Sequence, residues 1–520
     1  MAEEWRAGPL HQIAIAGPRP SGLVVQPCDL RPASAANGER LLVGVFSFGA
    51  ETLDVGAGGD PWTRASPSRR FAARLHGFEW LRDLMAAGEA GRCEALRLWS
   101  GWRRGFGRYN HFAWSGEALE RRVFNLTCAA PALLSLASAS EGAALLDSLA
   151  RQARHLAGDA ADPARAAERA AVAALAGAAL AGRAGERLLL GSLARLAHAA
   201  PNAVLRDGVH ASRSPERGLE LLFDLLALDD ALSQRGQPAP LDVARSIDRL
   251  TAAVRFFAAA SGGLPAFHGG EPGERERIAG ALALDESAAG PGKSAPYGRF
   301  QRLMAPGLQI VIDTGVPPDG VWRGGACVQP TTIEVLGDGA RLIVGSSWSN
   351  AAGLDAALRG PVGGSCLAIG DVWPQVGEVT AERQEDAEAI WVDVGHDGWR
   401  RAFGLVATRR LYLSLVTGDL RGEDQLSSIR RRRGESPFAV RFLLDPGVAA
   451  ELADDRRSVL LRPVGARSWR LRSDANEMRL EPALVCHGGE SRVTQALVLT
   501  GDVAFGEGVR LRWRLSRAAG

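Results

Sequence analysis

His210, Arg213 and Arg217 stand close together in the stretch from Asp207 to Leu228. There a turn signal, Asp207-Gly208, leads through polar residues to Ser214-Pro215. Ser at an N-cap accepts from the orphan N–H groups of a first helical turn, and Pro fits the first helical position. Beyond them Leu219, Leu222 and Leu226, with Leu221, Phe223 and Leu225 beside them, predict a helix with a wide apolar face. A cationic, titratable loop pinned to a helix N-terminus suits an anionic ligand, because backbone donors and helix dipole both favour negative charge. On the residues alone the simpler reading, an ordinary capped helix behind a solvated basic loop, is favoured, because N-cap signals occur in every helical protein.

Other groups carry polar chemistry elsewhere. Tyr109, Asn110 and His111 lie in an aromatic connector with Trp99, Trp102, Phe106, Phe112 and Trp114. Aromatic rings stack on pyranose faces, and Asn and His bond hydroxyls, so this tripeptide is a candidate lining for a sugar subsite. Trp102, Phe106 and Trp114 also read as core beneath the first helices. His268, in Phe267-His268-Gly269-Gly270, falls at a linker and is expected to face a cleft between domains. His396-Asp397-Gly398 reads as a hairpin turn; Glu120 and Asp147, at exposed helical spacing, read as surface. The six cysteines are scattered without a CxxC, so reduced, buried thiols are the default. Cys486-His487 lacks further ligands at metal spacing, and no metal is expected.

The elements that must hold these groups change character along the chain. Residues 1–68 are rich in Pro and Gly, with Leu41 to Phe48 reading as a strand. Residues 69–265 show helical periodicity, clearest in Val243, Ile247, Leu250, Val254 and Phe257. A Gly/Pro-rich linker over 266–296 follows. From 297 to 520 the period becomes two, with strands such as 308–313, 389–394 and 509–515, and Gly337-Asp338-Gly339-Ala340 marks a hairpin. At 520 residues, 46% hydrophobic and 23% charged, the chain is an ordinary globular composition too long for one core. A net charge of +2 argues against a nucleic-acid partner held by bulk charge. The longest alanine-rich run, Ala170 to Gly182, is too short to span a bilayer, so no membrane span is expected.

In this order of parts the chain resembles the heparinase II/III family of polysaccharide lyases over most of its length. The resemblance rests on Gly44-Val45-Phe46-Ser47-Phe48, on Asp207-Gly208-Val209-His210 with Ser214-Pro215, and on Tyr297 followed by Gln301-Arg302-Leu303. Ile310-Val311-Ile312-Asp313-Thr314-Gly315, His396-Asp397-Gly398, Arg409 to Leu413 and Phe442 to Val448 continue it. It implies an α+β multidomain fold, an incomplete α/α toroid at the N-terminus followed by a C-terminal antiparallel β-sandwich. It also implies β-elimination on a uronic-acid-containing acidic polysaccharide held between the two halves, with no cofactor. That reaction needs donors for the C5 carboxylate, a base for the C5 proton and an acid for the leaving O4. The corresponding assignments here are His210 and Tyr297 for proton transfer, and Arg213, Arg217, Tyr109, Asn110, His111 and His268 for substrate binding.

The departures concern those same functions. Where the family carries Asn-Asn-His, this chain reads Arg165 to Val172 without Asn or His. Its Ser-Pro-x-Tyr-His is Ser214-Pro215-Glu216-Arg217-Gly218 here, and the segments Ala326 to Pro330 and Leu358 to Gly364 lack the expected histidines. The sequence therefore admits two functions: a divergent lyase, or a catalytically degenerate glycan-binding or cell-envelope protein of the same fold. Family members usually work in the periplasm or cell envelope. The acidic start Met1-Ala2-Glu3-Glu4-Trp5 shows no export signal, which leaves the cytoplasm open. Oligomeric state is not legible.

Overall fold

The computed structural model describes residues 9–285, 290–348, 355–430, 432–488 and 490–518. The chain divides into two compact units, Met1–Val204 with Leu219–Arg249, and Leu205–Gly218 with Leu250–Gly520.

The first unit is helical. α1 (Pro9–Ala16) and α2 (Ala35–Leu42) precede a hairpin of β1 (Val45–Phe48) and β2 (Glu51–Asp54). The strand expected from Leu41 thus starts late, because Ser34 caps α2 by accepting from Asn37 N–H and the helix keeps Leu41 and Leu42. α3 (Arg69–His76), α4 (Leu81–Ala86), α5 (Gly88–Phe106), α6 (Gly116–Leu134), α7 (Ala139–Gly158), α8 (Ala166–Ala179) and α9 (Arg183–Ala203) follow. α10 (Pro215–Gln234) and α11 (Leu241–Phe257) complete the toroid's helices. Trp99, Trp102 and Trp114 are core. Alanine-rich α8 is buried along its length, and its small side chains let α9 come close: a Cβ on Gly177 would lie 2.4 Å from Leu189 N. Glu120 is not a surface residue. It is fully buried on α6, where Arg121 and Arg165 neutralise it, a pairing that apolar periodicity cannot reveal.

The second unit is built of antiparallel sheets. A five-stranded meander contains β3 (Ser294–Ala295), β4 (Phe300–Ala305), β5 (Leu308–Asp313), β6 (Ile333–Gly337) and β7 (Ala340–Ile343). The β6–β7 hairpin turns at Asp338 and Gly339, both at positive φ (48° and 83°), as a two-residue hairpin requires. A four-stranded sheet pairs β8 (Leu367–Ile369), β13 (Glu435–Leu443), β18 (Glu490–Ala504) and β17 (Glu477–His487). The largest sheet runs β14 (Val448–Leu452), β15 (Ser458–Pro463), β16 (Trp469–Ser473), β19 (Val509–Arg517), β12 (Leu420–Ser428), β11 (Leu405–Ser414), β10 (Ala389–His396), β9 (Val379–Glu385). Residues alternating inward from these sheets, among them Leu303, Ile312, Val392, Phe442, Leu497 and Trp513, form one continuous core. Among the described residues no helix is long and apolar enough to cross a membrane.

Among the strands that escape a pattern search, β9 and β12 do so for identifiable reasons. β9 is an edge strand and carries Glu382, Arg383 and Glu385, the charges that keep a sheet edge from pairing further. β12 buries Gly422 and Asp424 at inward positions. Gly422 is required because a Cβ there would lie 2.1 Å from the Trp513 ring. Asp424 is held by Arg409 Nε at 2.8 Å and Trp513 Nε1 at 2.9 Å.

Candidate functional site

The segment 205–218 belongs to the second unit and is fastened to it at several points. Asp207 Oδ2 accepts from the backbone N–H of Tyr297 (2.6 Å) and Gly298 (2.7 Å). A side chain at 298 would collide with Val209, with a Cβ only 2.5 Å from it, so glycine is needed there. Tyr297 itself points outward, 51% exposed, and its hydroxyl lies 3.3 Å from Arg206 Nη1.

Arg213 is buried rather than solvated. Its Nε donates to Gly298 O (2.9 Å), Nη1 to Val316 O (2.8 Å), and Nη2 to Arg299 O (3.1 Å) and to Asp313 Oδ1. His268 completes the cluster, with Nε2 at 3.1 Å from Asp313 Oδ2. Its Nδ1 accepts from Cys327 N–H at 3.2 Å, so the proton of the neutral ring sits on Nε2 and is donated to Asp313. Burial and the neighbouring Arg213 lower the His268 pKa, against the pull of Asp313, and keep the ring neutral. Burial pushes the Asp313 carboxyl up, but Arg213 and His268 together hold it below its usual range. Arg213, His268 and Arg299 all adopt left-handed backbone, with φ of 60°, 49° and 59°. Each such residue costs roughly 1–3 kcal/mol and persists only where its surroundings over-determine it, and such strain concentrates at working sites.

His210, 1% exposed, stands beside this cluster. Its Nδ1 accepts from Ser212 N–H (3.2 Å) and lies 2.7 Å from Ser212 Oγ. Ser212 Oγ in turn accepts from Ser214 N–H at 3.3 Å, which leaves its own proton for His210 Nδ1. The proton of neutral His210 is therefore on Nε2, and as folded the ring is a donor rather than a base. Its edge meets the half-buried Trp322 ring, 5.0 Å between centroids at 79°. Arg217 lies 5.4 Å from the same ring. A second pair is alongside: Arg359 stacks 4.1 Å from the Trp348 ring and donates to Gly324 O, two residues after Trp322. The backbone at Gly269, next to His268, is pressed against Trp348, where a Cβ would lie 2.0 Å from Nε1. Two arginine–tryptophan pairs thus adjoin the segments that carry the Asp313 cluster, one beside His210 and the other beside Gly269. Such pairs suit ring faces and acidic groups together. Cys327, beside His268, is no nucleophile: burial pushes its thiol up to about 12.

Of the residues singled out in the sequence, His210, Arg213, Arg217, His268 and Tyr297 lie in this unit, and the first four belong to the Asp313 cluster or contact Trp322. Tyr109, Asn110 and His111 lie in the helical unit. Asn110 Oδ1 accepts from Phe112 N–H (3.0 Å) and Ala113 N–H (2.9 Å), a local turn, and Tyr109 packs edge-on to His155. Sequence reasoning missed Asp313, Trp322, Trp348 and Arg359. Asp313 had a signal: a carboxylate ending a strand whose every residue is buried requires a cation.

Residues 288–514 match the family model described as heparinase II/III-like, C-terminal. FtsZ-localized protein C of Caulobacter vibrioides is 42% identical over 542 residues, spanning 99% of this chain and 94% of that protein. Among solved structures, heparinase III aligns with a TM-score of 0.77 at 14% identity, over 95% of this chain and 88% of its own. The heparan sulfate lyase HepC of Pedobacter heparinus aligns at 0.61 with 13% identity, over 100% and 88%. At these identities the structural matches speak for the toroid-and-sandwich fold alone.

Proposed function

The chain belongs to the heparinase II/III family, and from that premise we propose that it has exchanged elimination for binding. In this reading it is a catalytically degenerate member that recognises an acidic glycan on the Trp322–Trp348 face and localises with FtsZ, as its relative's name says of that protein. The observation that carries it is the direction of the histidine hydrogen bonds. A C5 base needs a lone pair turned to the substrate. His210 gives its lone pair to Ser212, and His268 has both ring nitrogens engaged, by Cys327 and Asp313. Tyr297, the one tyrosine assigned to proton donation, has its hydroxyl beside Arg206. What stays is recognition: Arg217 and Arg359 for carboxylate or sulfate, Trp322 and Trp348 for ring faces.

The test has two parts. Purified chain is incubated with heparan sulfate, alginate and hyaluronan while the ultraviolet absorbance of unsaturated uronate is followed; a flat trace on all is expected, and a rising one establishes the lyase reading instead. A fluorescent fusion imaged with labelled FtsZ in the native host is expected to coincide with it, and an unrelated distribution removes that part of the proposal.

A further inference from the structure

The outward face of the eight-stranded sheet carries two neighbouring cross-strand rows that are built differently. One row runs Asp393, Arg410, Glu423, Arg512 across β10, β11, β12 and β19. Its charges alternate and neutralise one another: Arg410 Nε lies 3.1 Å from Asp393 and its Nη1 3.2 Å from Glu423, while Arg512 Nε lies 3.0 Å from Glu423. The row two residues along runs Trp391, Tyr412, Arg421, Arg514, Arg472 across β10, β11, β12, β19 and β16. Here three arginines stand on adjacent strands about 4.8 Å apart, an arrangement that like-charge repulsion disfavours. Arg514 pairs with Asp419. Arg421 stacks 5.2 Å from the Tyr412 ring, and among the described residues neither Arg421 nor Arg472 forms an ion pair. Trp391 and Tyr412 meet edge to face with centroids 5.4 Å apart, Trp391 being 36% exposed. A groove of about 670 Å³ lies over these residues.

We propose that this groove is a carbohydrate-binding site for an acidic polysaccharide, with a sugar face on Trp391 and carboxylates on Arg421 and Arg472. The self-neutralised row shows that this sheet can compensate its arginines internally; in the second row that holds for Arg514 alone, and compensation of Arg421 and Arg472 is left to a ligand. Five strands span about 19 Å, enough for a short oligosaccharide. The flanking carboxylates Asp393 and Glu423 accept hydrogen bonds from sugar hydroxyls, which a uronate chain offers on every residue and a deoxyribonucleotide chain does not. The site shares no residue with the Trp322 face and does not rest on that reading.

The experiment is calorimetric titration of the full chain carrying Trp322→Ala, which weakens the other face so that the sheet groove dominates the signal. The probes are an alginate hexasaccharide, a neutral glucan hexasaccharide and a thymidine oligonucleotide. Alginate is expected to bind and the glucan not. Trp391→Ala, Arg421→Glu and Arg472→Glu are each expected to weaken alginate binding about tenfold, the change one charge-assisted or stacking contact carries. These side chains are exposed, so melting temperatures are expected to be unchanged. Absence of alginate binding, binding indifferent to all three substitutions, equal binding of the glucan, or tighter binding of the oligonucleotide overturns the proposal.

Discussion

Each unit of the chain buries carboxylates, and each neutralises them with arginine, but the two clusters are made differently. In the helical unit Asp224 accepts from Arg31 Nη2 (2.8 Å) and Arg121 Nη1 (2.9 Å), and Glu120 from Arg121 Nη2 (2.9 Å) and Arg165 Nη2 (2.6 Å). Burial pushes Glu120 up, but the two guanidiniums outweigh it and hold it near 2. Glu120, Arg121 and Asp224 project from helices α6 and α10, so rigid cylinders set the geometry at no backbone cost. In the sandwich unit the Asp313 cluster draws Arg213 and His268 from left-handed positions, and a histidine replaces one arginine. The first cluster is charge compensation between helices. The second fixes the path of residues 205–218 and thereby holds His210 and Arg217 against Trp322.

The comparison is broken most forcefully in the helical unit. Asp224→Ala leaves Arg31 and Arg121 buried beside each other with Glu120, Asp29 and Glu220 as remaining partners. Removing one member of a buried charge network costs about 3–5 kcal/mol, so urea denaturation should show a loss of that order. A loss below about 1 kcal/mol would mean that the network contributes little and that the two clusters differ only in backbone. Ligand binding at the Trp322 face should be unaffected at temperatures where the variant is folded.

Acid distinguishes the clusters next. His268 has its pKa lowered in the fold, so the unfolded chain takes up the proton first. Its contribution is complete above the ordinary histidine pKa and is lost as pH falls below it. His76 and His396 behave likewise, being pushed by burial to about 4. From pH 7 to pH 5 each of these two costs about 2 kcal/mol, because the unfolded side protonates over 1.5 units at 1.36 kcal/mol per unit. Glu120, already near 2, keeps its charge throughout this window. Between pH 7 and pH 5 the urea midpoint should fall less in His268→Gln and in His396→Gln than in the parent. Equal falls in all three chains would show that these rings are solvated enough to protonate in place.

How much of this was legible beforehand depended on the kind of signal. The change from a period near 3.6 to a period of two placed a helical half and a sandwich half in order, because both faces of each element obey solvent and core; the toroid came only with the family resemblance. β5 was read at its observed bounds because all of 308–313 is buried. Buried polar residues were not legible. Glu120 read as surface, and Asp424 concealed β12, because a charge inside the protein is explained only by a partner distant in sequence: Arg165 for Glu120, Arg409 for Asp424. The site divided in the same way. His210, Arg213 and Arg217 stood out as a local cluster, whereas Trp322, Trp348 and Arg359 join them only through the fold.

The Trp322 face is sharpened by a smaller perturbation. Trp322→Ala removes a half-buried ring flanked by His210 and Arg217. Binding of an acidic hexasaccharide at this face should weaken about tenfold, since an aromatic platform contributes about 1–3 kcal/mol per ring contact. Stability should move by less than about 1 kcal/mol, because the strained residues and Asp313 are untouched.

The smallest effect is expected at Tyr297, and it bears directly on whether any elimination chemistry survives. Its ring is exposed and its hydroxyl has Arg206 as neighbour at 3.3 Å, a surface contact at the long end of hydrogen-bond distance. Asp207 clamps the Tyr297 backbone, not its side chain, so Tyr297→Phe leaves the 205–218 path intact. Stability should change by less than about 0.5 kcal/mol, and oligosaccharide affinity should not change measurably. Only a proton donor working at a leaving oxygen would make the hydroxyl matter more than this. If Tyr297→Phe abolished release of unsaturated uronate from any polymer that the parent chain cleaves, the hydroxyl would be catalytic, and the Asp313 cluster would be the support of an active site rather than of a binding face.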